Sequence, residues 1–249
     1  MAQPRRVKKD ATASQSNEGR DLANGGDSSA AQAERLRLET LREYRILDTE
    51  PEPAFDRVTK LVADLFDAPI ALVSLVDECR QWFKSAHGLD ITETPRDVSF
   101  CQHVLADGQP LIVTDVVGDP RFRGNPLVTG VPHIPISAGM PLRAYNGAIL
   151  GTLCVIDRKE RSALAAHELA QLADFAAIIM AEADLRRTAA ERDEARRMLE
   201  RALDFSGIAT WQYDPRTDRL RTQGAGAELW GSEFQAMLAT GSRFFDLVP

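Results

Sequence analysis

The chain has 249 residues, 44% of them hydrophobic, enough to bury one good core and a second, smaller one. A formal charge of −7 excludes a nucleic-acid-binding surface as its main business. Three widely spaced cysteines, Cys79, Cys101 and Cys154, with no CxxC among them, exclude a disulfide framework and a zinc knuckle, and they fit a reducing cytosol.

Residues 1–33 contain only Met1, Val7 and Leu22 as large aliphatics and are expected to be a disordered tail. The basic residues Arg5, Arg6, Lys8 and Lys9 lead into polar sequence, so this is not a signal peptide. From Glu34 a helical pattern begins, with Leu38, Leu41, Tyr44 and Leu47 three apart. After the prolines at 51 and 53, a second helix is expected to carry Phe55, Val58, Leu61, Val62, Leu65 and Phe66 on one side. Pro69 ends it. Ile70–Val76 reads as a buried strand, Asp77-Glu78 as a turn, and Arg80–Ser85 as a second strand closed by Gly88.

The longest charge-free run, 124–142, is broken by Pro126, Pro132, Pro135 and Pro141 and is not a spanning helix. Residues 138–157 read as a hairpin whose centre, Asn146-Gly147, suits a two-residue turn with positive φ. A long helix is expected from Ala163 to about Leu203. In it Leu185, Arg192 and Leu199 mark one heptad position, and Thr188, Ala195 and Ala202 another, a core poor in large apolar groups. Phe175–Met180 is unusually apolar. With Leu38 and Leu41 it suits a homodimeric helical bundle centred on Ile179. Phe205–Asp214, a turn at Pro215–Asp218, and Arg219-Leu220 read as one more hairpin.

Several separated motifs, in order, resemble one family. Gly151-Thr-Leu-Cys-Val-Ile-Asp157 at the end of a hairpin resembles the last strand pair of a GAF domain, a sensor module. Leu41-Arg-Glu-Tyr-Arg-Ile-Leu-Asp-Thr49, Phe55-Asp-Arg57, Ile70–Asp77, Gln81-Trp-Phe-Lys-Ser85 and Ser99-Phe-Cys101 resemble the GAF subgroup at the N-terminus of bacterial histidine kinases and diguanylate cyclases. Asp119-Pro-Arg-Phe122 continues the likeness, which covers about residues 36–185. One departure is that Pro135-Ile-Ser-Ala138 stands where the subgroup usually has Arg-Phe-Tyr-Ala. The segment after residue 203, with Ala227–Gly231 and Phe244–Pro249, resembles the start of a PAS domain that stops about halfway.

The resemblance implies an α+β fold. A central antiparallel sheet carries helices on one face and loops on the other, followed by a long C-terminal signalling helix and a partial PAS-like hairpin. The implied domains are a tail at 1–33, a GAF domain at 34–185, a helical linker at 186–203 and an incomplete PAS domain at 204–249. The implied function is a cytoplasmic input module of a two-component or similar pathway. It would sense a small molecule or a redox change and pass the signal to a histidine kinase or diguanylate cyclase output domain absent from this chain. The expected pocket residues are Trp82, Phe83, Phe100, Cys101, Phe122, Ile136 and Met140.

No catalytic or metal residues are expected. His87, His103, His133 and His167 show no HxxxH or HExxH spacing, and no phosphate loop, nucleophile elbow or kinase signature is present. Cys154, mid-strand in an apolar run, reads as an inert packed thiol. Two other readings stand beside the sensor. One is a structural dimerisation module with a dead pocket. The other is a GAF-type methionine sulfoxide reductase, which needs two cysteines near each other. Cys79 at a turn and Cys154 in a packed strand do not meet that need.

Overall fold

Ile70–Val76 carries no charge and is rich in branched apolar residues, the composition of a strand covered on both faces. In the computed structural model it is β1, buried at every position. The structure describes residues 18–116, 118–129, 136–157, 164–206, 208 and 210–223. The expected features at Ala227–Gly231 and Phe244–Pro249 lie outside the described residues. β1 pairs with β2 (Arg80–His87) on one side and β6 (Ile149–Ile156) on the other. β3 (Glu93–Pro95), β5 (Ile136–Arg143) and β4 (Leu111–Ile112) complete a six-stranded antiparallel sheet in the order β3-β2-β1-β6-β5-β4.

The β5–β6 connection differs from the expected two-residue turn. Ala144 and Ala148 close a three-residue loop, with Gly147 donating back to the Ala144 carbonyl at 2.9 Å. Gly147, at φ 85, takes the left-handed position that ends a type I turn. Asn146 serves instead through its side chain, accepting from Ala148 N at 3.1 Å and donating to Thr40 Oγ1 at 2.9 Å.

Helices α1 (Glu18–Glu43), α2 (Pro53–Leu65) and the N-terminal part of α5 (Ala166–Ser206) supply the core on one face of the sheet, while α3 (Cys101–Asp107) and the four-residue α4 (Pro126–Thr129) lie between β2 and β5 in sequence. The α1 helix is present from Glu18, although the sequence to residue 33 reads as a tail. Ala30, Ala31 and Ala33 have the intrinsic helix preference that extends it back from the amphipathic part. On α2 the buried side chains are Phe55, Thr59, Val62 and Ala63, while Leu61 and Leu65 face outward. The expected stripe therefore divides: positions 55, 59 and 62 face the sheet, and 61 and 65 lie a third of a turn away. Burying Phe55 and Val62 contributes about 1.5–3 kcal/mol each.

Ile179 and Met180 are also consumed by this core, at 2% and 7% exposure, together with Leu172, Ala176 and Ala183. Ile179 is thus not the surplus dimer residue expected from sequence. Ile178, half exposed, is the outward neighbour. At the sheet's edge the ammonium of Lys84 is fully enclosed. It donates to Thr49 Oγ1 at 2.7 Å, the Glu50 carbonyl at 2.9 Å and Glu52 Oε1 at 2.6 Å, and it lies 5.3 Å from the Phe55 ring centre.

The chain divides into two units, residues 1–183 and 184–249. In the second, the described part contains the C-terminal portion of α5 and a hairpin, β7 (Thr210–Asp214) with β8 (Arg219–Gln223). Asp218, at φ 51, and the Tyr213 hydroxyl, donating to Asp218 Oδ1 at 3.2 Å, shape its turn.

Candidate functional site

The other face of the sheet is covered by the segment between β2 and β5, and its middle is polar. Ser74 of β1 and Thr152 of β6 are directly opposed in register, with their hydroxyls 3.0 Å apart. Gly151 makes this approach possible: a Cβ there would stand 1.9 Å from the Ser74 carbonyl oxygen, so no other residue fits. Cys154 follows two residues along β6 and shares Thr152's face, its sulfur 3.0 Å from Thr152 Oγ1.

Cys101, the first residue of α3 (Cys101–Asp107), descends onto the same spot. Its sulfur lies 2.7 Å from Thr152 Oγ1, 3.3 Å from Ser74 Oγ and 3.7 Å from the Cys154 sulfur. All four residues are at most 1% exposed.

The approach of Cys101 is fixed by its upstream neighbours. Ser99 accepts from the Cys101 amide at 3.1 Å and donates to the Gln81 side chain. Arg96, in the 3₁₀ turn Arg96–Val98, donates its amide to the Cys79 carbonyl at 3.0 Å, and its guanidinium to Glu34 Oε1 at 2.7 Å and the Asp77 carbonyl at 3.0 Å. Arg37 holds the same carboxylate and reaches the Val76 carbonyl at 2.7 Å.

Phe100 and Phe122 pack over the site with ring centres 4.8 Å apart, and His103 meets Phe122 edge-on at 5.0 Å. Asn125 secures this roof by donating to the Val98 carbonyl at 2.8 Å. Burial, and then the nearby Arg121, hold His103 below its ordinary pKa and favour the neutral ring. Val104, Leu111, Val113, Val116 and Val128 complete the apolar surround.

Four hydrogen-bonding groups enclosed by hydrocarbon are costly unless they satisfy one another, and here they do. The two thiols behave unequally. Hydrogen bonds, from Cys154 first and then Ser74 and Thr152, bring the Cys101 thiol below its ordinary value against the opposing effect of burial. Cys154 is pushed up, by its bond to Cys101 and by burial. The arrangement favours one thiolate, on Cys101, with Cys154 keeping its proton.

Of the residues expected to line one pocket, the structure brings Phe83, Phe100, Cys101 and Phe122 together on this face. Trp82 and Met140 belong to the opposite, helix-side core, since neighbouring strand positions point to opposite faces. Pro135 and the side chains of Ile136 and Ser137 lie outside the described residues. Sequence reading missed Ser74, Thr152 and the partnership of Cys101 with Cys154. The signal present was alternation: positions 70, 72, 74 and 76, and positions 152, 154 and 156, fall on one face once the strands are paired.

The family is decided by a match to the GAF domain over residues 50–182, more than half of the chain. The chain belongs to the GAF domain family. Such domains are signalling and sensory modules. A cyclic di-GMP phosphodiesterase of Pseudomonas aeruginosa is 43% identical over 136 residues, which is 55% of this chain and 23% of that protein, so the match spans under a quarter of that relative. Among solved structures, the GAF domain of an Acinetobacter phosphoenolpyruvate-protein phosphotransferase is similar, with a TM-score of 0.45 and 16% identity, covering 61% of this chain and 95% of that one. A free methionine-R-sulfoxide reductase from Neisseria meningitidis is similar with a TM-score of 0.44 and 20% identity, covering 64% of this chain and 93% of that one. Among the described residues, no helix is long and apolar enough to cross a membrane, and no group of His, Cys, Asp or Glu is placed to hold a metal ion.

Proposed function

We propose that this chain is the sensory input part of a signalling protein. Its GAF domain responds, on the face covered by α3 and the Phe100–Phe122 roof, to a small molecule or a redox change, and α5 passes the response to an output domain. One observation carries this reading: a self-satisfied polar cluster, Ser74, Cys101, Thr152 and Cys154, lies inside an otherwise apolar face whose cover is short helical turns and loops. A core built for stability alone gains nothing from such a cluster. A cytoplasmic setting is supported by three free thiols. A histidine kinase or diguanylate cyclase as output, and a PAS domain beginning at the β7–β8 hairpin, belong to the same proposal.

The GAF domain is read here as a non-catalytic module. The reductase alternative needs two adjacent cysteines, and Cys101 with Cys154 supply them, but both are closed off from a substrate as large as free methionine sulfoxide. Absence of turnover with that compound is the expected result. A homodimer through the flanking helices is also proposed, and the half-exposed Leu61, Leu65 and Ile178 replace Ile179 as its contact residues.

The test is hydrogen exchange on the full chain, before and after adding the low-molecular-mass fraction of a cell extract, with bound compounds identified by mass spectrometry. The expected result is a retained compound together with altered exchange in α3 and in α5 peptides. Unchanged exchange in both, with no compound retained and none after peroxide treatment, would count against a sensory role.

A further inference from the structure

Cys101 and Cys154 stand 53 positions apart in sequence, yet the fold places their sulfurs 3.7 Å from each other. The third cysteine, Cys79, is exposed at the turn between β1 and β2. We propose that Cys101 and Cys154 form a redox site in which hydrogen peroxide converts the two thiols into a disulfide. The inference deepens the sensory reading, and rests on it for the signalling consequence but not for the chemistry.

The electrons and atoms balance with peroxide as the sole oxidant. The Cys101 sulfur, as thiolate, attacks one peroxide oxygen. The O–O bond breaks, an S–O bond forms, and the departing hydroxide takes up the proton lost by Cys101 to leave as water. The Cys154 sulfur then attacks the sulfur of the Cys101 sulfenic acid. The S–S bond forms, the S–O bond breaks, and the hydroxyl leaves with the Cys154 proton as a second water. The pair loses two electrons and two protons, and peroxide gains both.

Three features fit this order. The hydrogen bonds from Cys154, Ser74 and Thr152, with the sulfur set at the first residue of α3, favour the thiolate on Cys101, which makes it the attacking sulfur. Cys154 sits mid-strand in β6, bonded into β1 and β5, and is the fixed partner. Burial of both sulfurs to 1% exposure selects an oxidant close to water in size and shuts out glutathione disulfide or a bulky organic hydroperoxide.

Closing the bond also has a mechanical consequence. A disulfide needs its sulfurs about 2.05 Å apart, so the gap must shrink by about 1.7 Å. The sheet holds Cys154, so the first turn of α3 makes the movement. Phe100, the residue before Cys101, then shifts against Phe122. Peroxide is thereby reported by the roof of the site.

The experiment uses the full chain carrying Cys79→Ser, which removes the exposed thiol and with it any bridge between molecules. The folded protein is treated with hydrogen peroxide or cumene hydroperoxide, alkylated in denaturant and digested with trypsin. The expected product with hydrogen peroxide is a pair of peptides, 97–121 and 144–158, joined with the loss of two hydrogens. Cumene hydroperoxide should give none. Adding Cys154→Ala should leave Cys101 as a sulfenic acid, trapped by dimedone supplied together with the denaturant after peroxide is removed, whereas Cys101→Ala should leave Cys154 unmodified.

The proposal is overturned if both thiols stay reduced while the chain is folded, or if the bridge forms only in denaturant. Dimedone labelling of Cys154 in place of Cys101 would overturn the order of attack. Should the alanine variants fail to fold, the peptide map of the Cys79→Ser chain decides alone. Hydrogen exchange in α5 separates the two claims. A bridge without any change in α5 refutes the redox form of the sensory reading and leaves the site standing, while absence of the bridge removes the site and leaves small-molecule sensing intact.

Discussion

The two faces of the central sheet are built to different ends. On the helix side, α1, α2 and α5 cover the strands with Leu41, Tyr44, Phe55, Val62, Leu172 and Ile179, all nearly inaccessible to solvent, and the buried Thr59 and Ser85 hydroxyls pair with each other between α2 and β2. On the loop side, the seven-residue α3, the four-residue α4, a 3₁₀ turn and irregular chain cover an apolar surface that has hydroxyls and thiols at its centre. Stability is concentrated where regular elements bury continuous hydrocarbon. The proposed response is placed on the face whose cover is short and whose interior is polar, where local opening disturbs less regular structure.

The contrast is broken most severely from the helix side. Phe55→Ala removes a ring that is 1% exposed and the surface on which the Lys84 ammonium rests. The expected loss is about 3–5 kcal/mol, read as a shift of the urea midpoint. Lys84→Ala takes away three donated hydrogen bonds and leaves Glu52, one-third exposed, partly rehydrated. The expected loss is smaller, about 2 kcal/mol by the same measurement.

Thr152→Val on the loop side should behave differently. Ser74 keeps the Thr152 carbonyl as an acceptor at 3.3 Å, so the stability change should stay within about 1 kcal/mol. The Cys101 thiol, having lost one of the hydrogen bonds that lower it, should titrate higher, which is seen in the ultraviolet absorbance of the thiolate against pH. A stability loss as large as that of Phe55→Ala would mean that the loop-side face is an ordinary core.

The smallest effect is electrostatic. The hydrogen bond from Arg37 chiefly, aided by Arg96 and opposed by burial, holds the Glu34 carboxyl at about 2 instead of the usual 4.5. A depressed folded-state value means that this contribution is complete above about pH 4.5 and fades as pH falls towards 2. Glu34→Gln should therefore flatten the acid limb of the stability profile and leave the neutral region with a modest loss, a partly exposed pair being worth little. An unchanged acid limb would show that Glu34 does not couple α1 to the segment leading into Cys101.

Much of this division was legible in the sequence. Ile70–Val76 is a strand with the bounds its composition suggests, because a run of apolar β-formers between Pro69 and Asp77 has one solution. The α2 helix is also readable, but which of its two apolar stripes faces inward is not. Val62 and Leu61 are equally hydrophobic, and only the sheet beneath chooses between them. The same ambiguity misplaced Ile179, whose burial depends on the path of α5 over the strands. At the candidate site, Cys101, Phe100 and Phe122 stand out by type. Their meeting with Ser74, Thr152 and Cys154 requires the β1–β6 register and the descent of α3, neither of which local sequence specifies.

The central claim is that the loop-side face opens independently of the helix-side core. Native-state hydrogen exchange on the unmodified full chain, followed at increasing urea, tests it directly. The account predicts that amides of α3, including Gly108 bonded to Val104, exchange through a local opening insensitive to urea, whereas amides of β1, β6, α2 and residues 172–183 of α5 exchange only by global unfolding. Exchange of all these amides through a single global opening, with one common free energy and one urea dependence, would contradict it.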